Sequence, residues 1–211
     1  LHFMEGKYPY LTPAVLGHES AGVVEAVGRD VSYVKPGDHV ITCLSVFCGH
    51  CEQCVTGHLS LCQEPEMSRG REEEPRISQN DQPLTPFAQL GSFAEMMLVH
   101  EHAVVKVRED MPMDRAALIG CGVTTGVGAV IHTAAVEPGS TVAVIGCGGI
   151  GLSAINGAAL AGASRIIAVD MVSSKLELAR NFGATDVVDA SDGEAIEKVR
   201  ELTGGGVHYS F

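Results

Sequence analysis

Residues 141–170 read TVAVIGCGGIGLSAINGAALAGASRIIAVD. Val142 to Ile145 is a short apolar run rich in β-branched residues, the pattern of a strand buried within a parallel sheet. It runs directly into Gly146-Cys147-Gly148-Gly149-Ile150-Gly151, a G-x-G-x-x-G that opens a predicted helix through Ala161. A second predicted strand, Ile166 to Val169, ends on Asp170. Gly146 permits a sharp turn, Gly148 lets backbone N–H groups approach a pyrophosphate, and Gly151 lets helix and strand pack closely. With Gly149 and Ile150 between them, these residues aim a helix N-terminus, with its unpaired N–H groups and positive dipole end, at bound phosphates. Asp170 lies 19 positions past Gly151, where an acid takes both hydroxyls of an adenine ribose. Strand, glycine turn, helix, strand and terminal acid in this order predict a dinucleotide site rather than a plain turn. The Asp170 carboxylate would repel a 2′-phosphate and no arginine follows it (Met171, Val172), which points to NAD over NADP.

At 211 residues and 45% hydrophobic content, the chain has material for one large or two modest domains. A net charge of −12, with no basic cluster to offset it, argues against a nucleic-acid partner. No basic, apolar, small-residue leader opens the sequence, so a cytoplasmic location is expected. Leu1 in place of a methionine suggests a chain that has been cut. Thr141 to Ser164 carries no charged side chain and has the length of a membrane span. Its glycines and turn chemistry instead predict a buried strand–helix unit, and no membrane partner is expected. Seven cysteines, four of them between 48 and 62, point to metal rather than disulfides.

Residues 1 to 110 read mostly as strands and turns, with strands predicted at Ala21–Val27, His39–Val46, Ser92–Val99 and Val104–Val107. Lys35-Pro36-Gly37-Asp38 is a turn signal. The polar run Arg69 to Arg76 reads as a solvated loop. From Asp114 to Ala135 the composition is helical and apolar. After Asp170 come a helix with Ser173 as its N-cap, a strand at 186–188, a helix at 193–202 and a strand from Val207. The fold class is therefore α/β: a β-rich first domain and a partial Rossmann domain, a doubly wound parallel sheet with strands in the order 3-2-1-4.

Cys48-x-x-Cys51-x-x-Cys54, followed by Cys62, is the most specific metal signal. Four thiolates on one compact lobe close a tetrahedron around Zn²⁺ with no open position, which makes such a site structural. Binding of that kind is worth on the order of 10 kcal/mol and doubles as folding energy. A redox dithiol or an iron–sulfur cluster needs a context that is missing: no thioredoxin-like βαβ surrounds the pairs and no Pro follows the last Cys. His50 and His58 read as exposed loop histidines, and Cys43 and Cys147 as small core residues. An open catalytic zinc takes three protein ligands, and His18 and Cys121 could supply two of them.

The order His2, Gly17-His18-Glu19, four cysteines, Gly120-Cys121-Gly122, Gly146 to Gly151 and Asp170 resembles the zinc-dependent medium-chain alcohol dehydrogenases over essentially the whole chain. The long loop after Cys62 and the ending Gly205-Gly206-Val207-His208-Tyr209-Ser210-Phe211 resemble the class I and class III branch, which includes the glutathione-dependent formaldehyde dehydrogenases. The resemblance implies a GroES-like catalytic domain over 1–122, truncated at its start. It implies an NAD-binding Rossmann domain over 123–211, truncated at its end, with the active site in the cleft between them. By position, His18 and Cys121 are then catalytic zinc ligands, and Glu19 is the acid beside them. His2, sixteen residues before His18, takes the place of the proton-relay histidine. Thr125 neighbours the nicotinamide, and Lys175 the adenine ribose beside Asp170. The family's first zinc-binding Cys, and the hydroxyl residue that passes the substrate proton on, fall before Leu1.

For the full-length protein the resemblance implies hydride transfer between a primary or secondary alcohol, or the matching aldehyde or ketone, and NAD. Zinc acts as a Lewis acid and a proton relay ends at His2. A homodimer or homotetramer is expected. The isolated 211-residue chain is expected to be inactive. Two rivals stand beside this reading. One is a thiol-dependent formaldehyde dehydrogenase acting on an S-hydroxymethyl adduct of glutathione type. The other is a zinc-stabilised NAD-binding protein without catalysis.

Overall fold

The computed structural model describes residues 2–64 and 73–211. The chain divides into two compact units, Leu1–Cys121 and Gly122–Phe211. In the first unit the elements are β1 (Ala14–Val15), β2 (Ala21–Val23), β3 (His39–Thr42), α1 (Glu52–Val55), β4 (Ser78–Gln79), β5 (Gln82–Pro83), β6 (Thr85–Pro86), β7 (Val104–Lys106) and α2 (Met113–Ala116). β2, β3 and β7 form an antiparallel sheet in which Ile41 of the central strand stands opposite Ala21 on one side and Val105 on the other. Val34, Val40 and Val104 form its buried cluster. β1 pairs in parallel with β6. β4 and β5 form a hairpin whose turn residues Asn80 and Asp81 have φ of 51° and 61°, the left-handed pair that a tight two-residue hairpin requires and short polar side chains tolerate.

Several predicted elements of this unit are shorter or absent. β2 stops at Val23, although the Val24 N–H still donates to the Asp38 carbonyl, the next pair in its register with β3. β3 stops at Thr42, although the Cys43 N–H still donates to the Ala103 carbonyl, the next pair in its register with β7. The strand expected over Ser92–Val99 does not form: Ser92 and Phe93 donate their N–H groups to Gly17 and Leu16, so the segment braces a loop instead of joining a ladder. Of the run expected to be solvated, residues 69–72 lie outside the described residues. Glu73, Glu74 and Pro75 are exposed as expected, whereas Arg76 is half-buried and donates to the Gln89 carbonyl at 2.8 Å and to the Leu98 carbonyl at 3.4 Å.

The second unit opens with α3 (Thr124–Gly128) and continues as β8 (Thr141–Ile145), α4 (Gly149–Leu160), β9 (Arg165–Asp170), α5 (Ser173–Asn181), β10 (Asp186–Asp189), α6 (Ala195–Thr203) and β11 (Tyr209–Ser210). Its four strands are all parallel and lie in the order β10-β9-β8-β11, which is the predicted 3-2-1-4. Val142, Val144, Ile155, Ile166 and Ala168 fill its main core, and full burial of such a Val or Ile is worth about 1.5–3 kcal/mol. α4 is buried through Leu152, Ser153, Ala154, Ile155, Gly157 and Ala158. That explains the uncharged stretch 141–164: it is a strand and a helix enclosed by the fold. A Cβ on Gly126 would overlap the Ile150 carbonyl, so α3 and α4 touch backbone to backbone there.

Met113–Thr133 is helical over 21 residues and, by length and composition alone, apolar enough to cross a membrane. It contains two wider-wound segments, Ile119–Val123 and Ala129–Thr133, and it ends short of the predicted Ala135, whose φ of 47° is left-handed. Ser173 is the first residue of α5 rather than its N-cap. The capping acceptor sits upstream, where Asp170 Oδ1 accepts the Val172 N–H at 2.9 Å.

Candidate functional site

The cysteine lobe runs from Cys48 around α1 to Cys62. The sulfurs of Cys48, Cys51, Cys54 and Cys62 all lie within 4.8 Å of one another. Cys48–Cys54 is 3.8 Å, Cys51–Cys54 3.5 Å and Cys51–Cys62 3.9 Å. A tetrahedral zinc with Zn–S near 2.3 Å has S···S edges of about 3.8 Å, so the tetrad fits that ion. Cys48 N–H points at Cys62 Sγ (3.3 Å), and the N–H groups of His50 and Cys51 point at Cys48 Sγ (3.4 and 3.3 Å). The Cys54 backbone N–H brings the Cys51 thiol down to about 6. Burial pushes Cys54 up to about 12, with neighbouring thiols adding to the effect. Crowded thiols that resist losing their protons together are what a divalent cation relieves. His50 and His58 are exposed, as expected, although His50 and Glu64 also lie close enough to Cys48 to share an ion with it.

His18 Nε2 lies 3.1 Å from Cys121 Sγ. Two backbone devices bring them together. Gly17 has φ of +91° and leaves no room for a Cβ against Ser92 and Phe93, whose N–H groups also donate to the Gly17 and Leu16 carbonyls. Gly120 passes so close to the Thr42 carbonyl that any Cβ would overlap it. The end of β3 is thereby the post against which Cys121 is set. Ser20 Oγ and Thr42 Oγ1, 2.8 Å apart, tie the His18 loop to that same post. Nitrogen and sulfur donors on one tetrahedral zinc sit about 3.6 Å apart, so a small opening of this pair admits the ion. The pair offers two donors, where an open zinc site uses three.

The other residues predicted for this site stand as follows. Glu19 is exposed. His2 is also exposed, in a turn where its carbonyl accepts the Lys7 N–H. Cys43, expected in the core, is only half-buried, whereas Cys147 is 1% exposed. Sequence reasoning missed Phe87, whose ring centroid lies 5.7 Å from that of His18. Tyr10 follows at 5.1 Å from Phe87. No spacing rule marks a ring in an irregular segment.

In the second unit a cleft of about 480 Å³ is lined by the glycine turn, Thr125, Asp170 and Lys175. Gly146 has φ of +96°, and a Cβ on Gly151 would overlap the Gly146 carbonyl, so both glycines are demanded by the backbone. At Gly148 and Gly149 a Cβ would meet open space, the empty cradle that a phosphate group requires. The first helical bond of α4 runs from Leu152 N–H to Gly148, which leaves the N–H groups of Gly149, Ile150 and Gly151 ahead of the ladder. Asp170 Oδ2 accepts the Cys147 N–H at 2.7 Å, and Lys175 Nζ stands 4.0 Å from the same oxygen. The Cys147 N–H, followed by Val172 N–H and the Lys175 charge, holds the Asp170 carboxyl below its ordinary value. The residues present fit an adenine dinucleotide.

Residues 1–109 match the alcohol dehydrogenase GroES-like domain, and residues 149–211 match the zinc-binding dehydrogenase family. The chain is 44% identical over 98% of its length to a class-3 alcohol dehydrogenase of Oryza sativa subsp. japonica. It is 45% identical over 94% of its length to a probable S-(hydroxymethyl)glutathione dehydrogenase of Schizosaccharomyces pombe. An alcohol dehydrogenase zinc-binding domain protein from Burkholderia ambifaria superposes on 99% of this chain with a TM-score of 0.89 at 40% identity. The chain belongs to the zinc-dependent medium-chain alcohol dehydrogenase family, on the side of its class III branch. It spans about half the length of these relatives: 56%, 54% and 58%. Its cysteine tetrad is the cluster that fits zinc binding in this family.

Proposed function

We propose that the full-length protein is a zinc-dependent alcohol dehydrogenase that uses NAD. The observation that carries the reading is the approach of His18 Nε2 to Cys121 Sγ at 3.1 Å, in a chain that also bears the glycine cradle and Asp170. Zinc, when bound, supplies Lewis acidity, and the dinucleotide supplies a hydride acceptor. His18 and Cys121 hold the catalytic ion, Cys48, Cys51, Cys54 and Cys62 hold the structural one, and Glu19 is the acid beside the first. Gly146, Gly148, Gly149, Ile150 and Gly151 cradle the pyrophosphate, Asp170 and Lys175 take the adenine ribose, and Thr125 flanks the nicotinamide. His2 passes the substrate proton to water, a role its exposed imidazole supports. Residues 1–122 are the catalytic domain and 123–211 the dinucleotide domain.

The substrate is an apolar primary or secondary alcohol, or the corresponding aldehyde or ketone. The ring of Phe87 beside His18 supports this, with Tyr10 behind it. The names of the relatives favour a second reading, an S-hydroxymethyl thiol adduct. The net charge of −12 supports the absence of a nucleic-acid partner. A thiol tetrad that holds metal supports a reducing, cytoplasmic setting. A homodimer or homotetramer completes the reading.

The test is NAD reduction by the full-length protein with a panel of alcohols and with S-hydroxymethylglutathione. Turnover of simple alcohols supports the first reading, and turnover of the adduct alone supports the second. Zinc and NAD binding with no turnover of either would leave a non-catalytic binder.

A further inference from the structure

One peptide group joins the cysteine tetrad to a histidine that no motif marks. Phe47 immediately precedes Cys48. Its carbonyl lies 2.6 Å from His102 Nδ1, and the two rings stack at 4.6 Å between centroids with 5° between planes. A carbonyl only accepts, so Nδ1 of His102 carries the proton and donates. The N–H of the same peptide belongs to Cys48 and donates to Cys62 Sγ at 3.3 Å. Imidazole, peptide and thiolate therefore form a chain in which each hydrogen bond polarises the next. The donor is itself fixed. His102 N–H is held by His100 Nδ1 at 3.0 Å, the Glu101 carboxylate accepts the N–H groups of Ser32 and Tyr33, and the Ala103 carbonyl accepts the Cys43 N–H. The turn Glu101–Ala103 leads straight into β7. His102 thus stands on the sheet and reaches the lobe at the peptide where the tetrad begins.

We propose that His102 is the positioning residue of the tetrad metal site. Its Nδ1–H orients the Phe47–Cys48 peptide so that the Cys48 N–H stabilises the Cys62 thiolate, which holds the ion in place. Groups that orient metal ligands in this way typically change metal affinity by about 10- to 100-fold when removed. The inference rests on the reading that the tetrad holds a metal.

The test uses the full-length protein in a Cys121→Ser background, so that only the tetrad metal is counted. His102→Phe keeps a stacking ring and loses the donor, while His102→Asn keeps a donor near the Nδ1 position and loses the ring. Release of zinc to a chromogenic chelator is expected to be about tenfold faster or more in His102→Phe and close to the parent rate in His102→Asn. With cobalt in the site, the sulfur-to-cobalt charge-transfer band should shift in the Phe variant and hold its position in the Asn variant. Equal release and an unmoved band in all three proteins would overturn the proposal, as would equal acceleration in both variants. Should His102→Phe fail to fold, the Asn variant decides alone: parent-like release supports the proposal and rapid release overturns it. A parent protein that holds no metal would instead sink the tetrad reading, and this proposal with it.

Discussion

His18 and Cys121 stand 103 positions apart in sequence, yet an imidazole nitrogen and a sulfur meet at 3.1 Å. The pair supplies two donors at that point, whereas the tetrad brings four sulfurs within 4.8 Å of one another. The 211-residue chain expressed alone should therefore hold one tight zinc and show little or no alcohol oxidation. Metal analysis during a chelator titration checks this, and two equally tight ions or robust turnover would refute it. In the full-length protein, Cys121→Ser should spare the tetrad ion while kcat/KM falls by about 10³-fold or more, the scale of several kcal/mol of lost Lewis-acid stabilisation.

The glycines of the turn divide into two kinds, and substitution should tell them apart. Gly151→Ala forces a Cβ into the Gly146 carbonyl, where neither backbone can yield, so the protein should lose stability and cofactor binding together. Gly149→Ala meets open space in the cleft and lies in the first turn of α4. It should leave Tm unchanged or raise it, since Ala is favoured over Gly in a helix by about 1 kcal/mol, while NAD binding weakens. Thermal melts paired with calorimetric titration of NAD read both. A Gly151→Ala protein that melts and binds like the parent would contradict this packing.

The parts legible in the sequence were those governed by short-range rules. The turn at 146–151, the acid at 170 and the cysteine spacing of the tetrad all follow from local stereochemistry, and the parallel order of the four strands follows from alternation of strands and helices. What escaped depends on partners distant in the chain. Ser92–Val99 alternates like a strand, but its first N–H groups are claimed by Gly17 and Leu16, some 75 positions earlier. Arg76 lies in a charged run that reads as solvated, yet it is recruited by two carbonyls. Phe87 and His102 belong to no periodic pattern, and only the folded chain shows that one faces His18 and the other faces the peptide before Cys48.

Asp170 is committed on two sides before any cofactor arrives, accepting from Cys147 and Val172. A carboxylate this fully bonded is charged throughout the physiological range and repels a 2′-phosphate. Asp170→Gly should shift the NAD/NADP preference toward NADP by about tenfold or more, one decade being 1.4 kcal/mol. It should also weaken both cofactors, because the glycine turn loses its acceptor. The ratio of kcat/KM values is the readout, since the shared loss cancels in it. An unchanged ratio would remove Asp170 from the ribose contact.

A second acid of the same sheet contributes to the loss of stability in acid. Arg165 Nε and Nη2 donate to the two carboxylate oxygens of Asp186 at 2.8 and 2.9 Å, and Nη1 donates to the Leu202 carbonyl, so one guanidinium ties β9 to β10 and to α6. This pairing brings Asp186 from 3.8 down to about 2. A depressed carboxyl stabilises the fold above its unfolded value and loses that contribution as pH falls through its folded one, so the window runs from about pH 4 to pH 2. Both side chains are partly exposed, 35% and 23%, so solvent screening trims the contribution to roughly 1–2 kcal/mol. Asp186→Asn should lower stability near neutral pH by about that amount and flatten its fall below pH 4, with Arg165 left to its carbonyl partner. Urea denaturation at a series of pH values separates the outcomes: a variant whose stability runs parallel to the parent across pH 2–4 would show that this pair contributes nothing in that window.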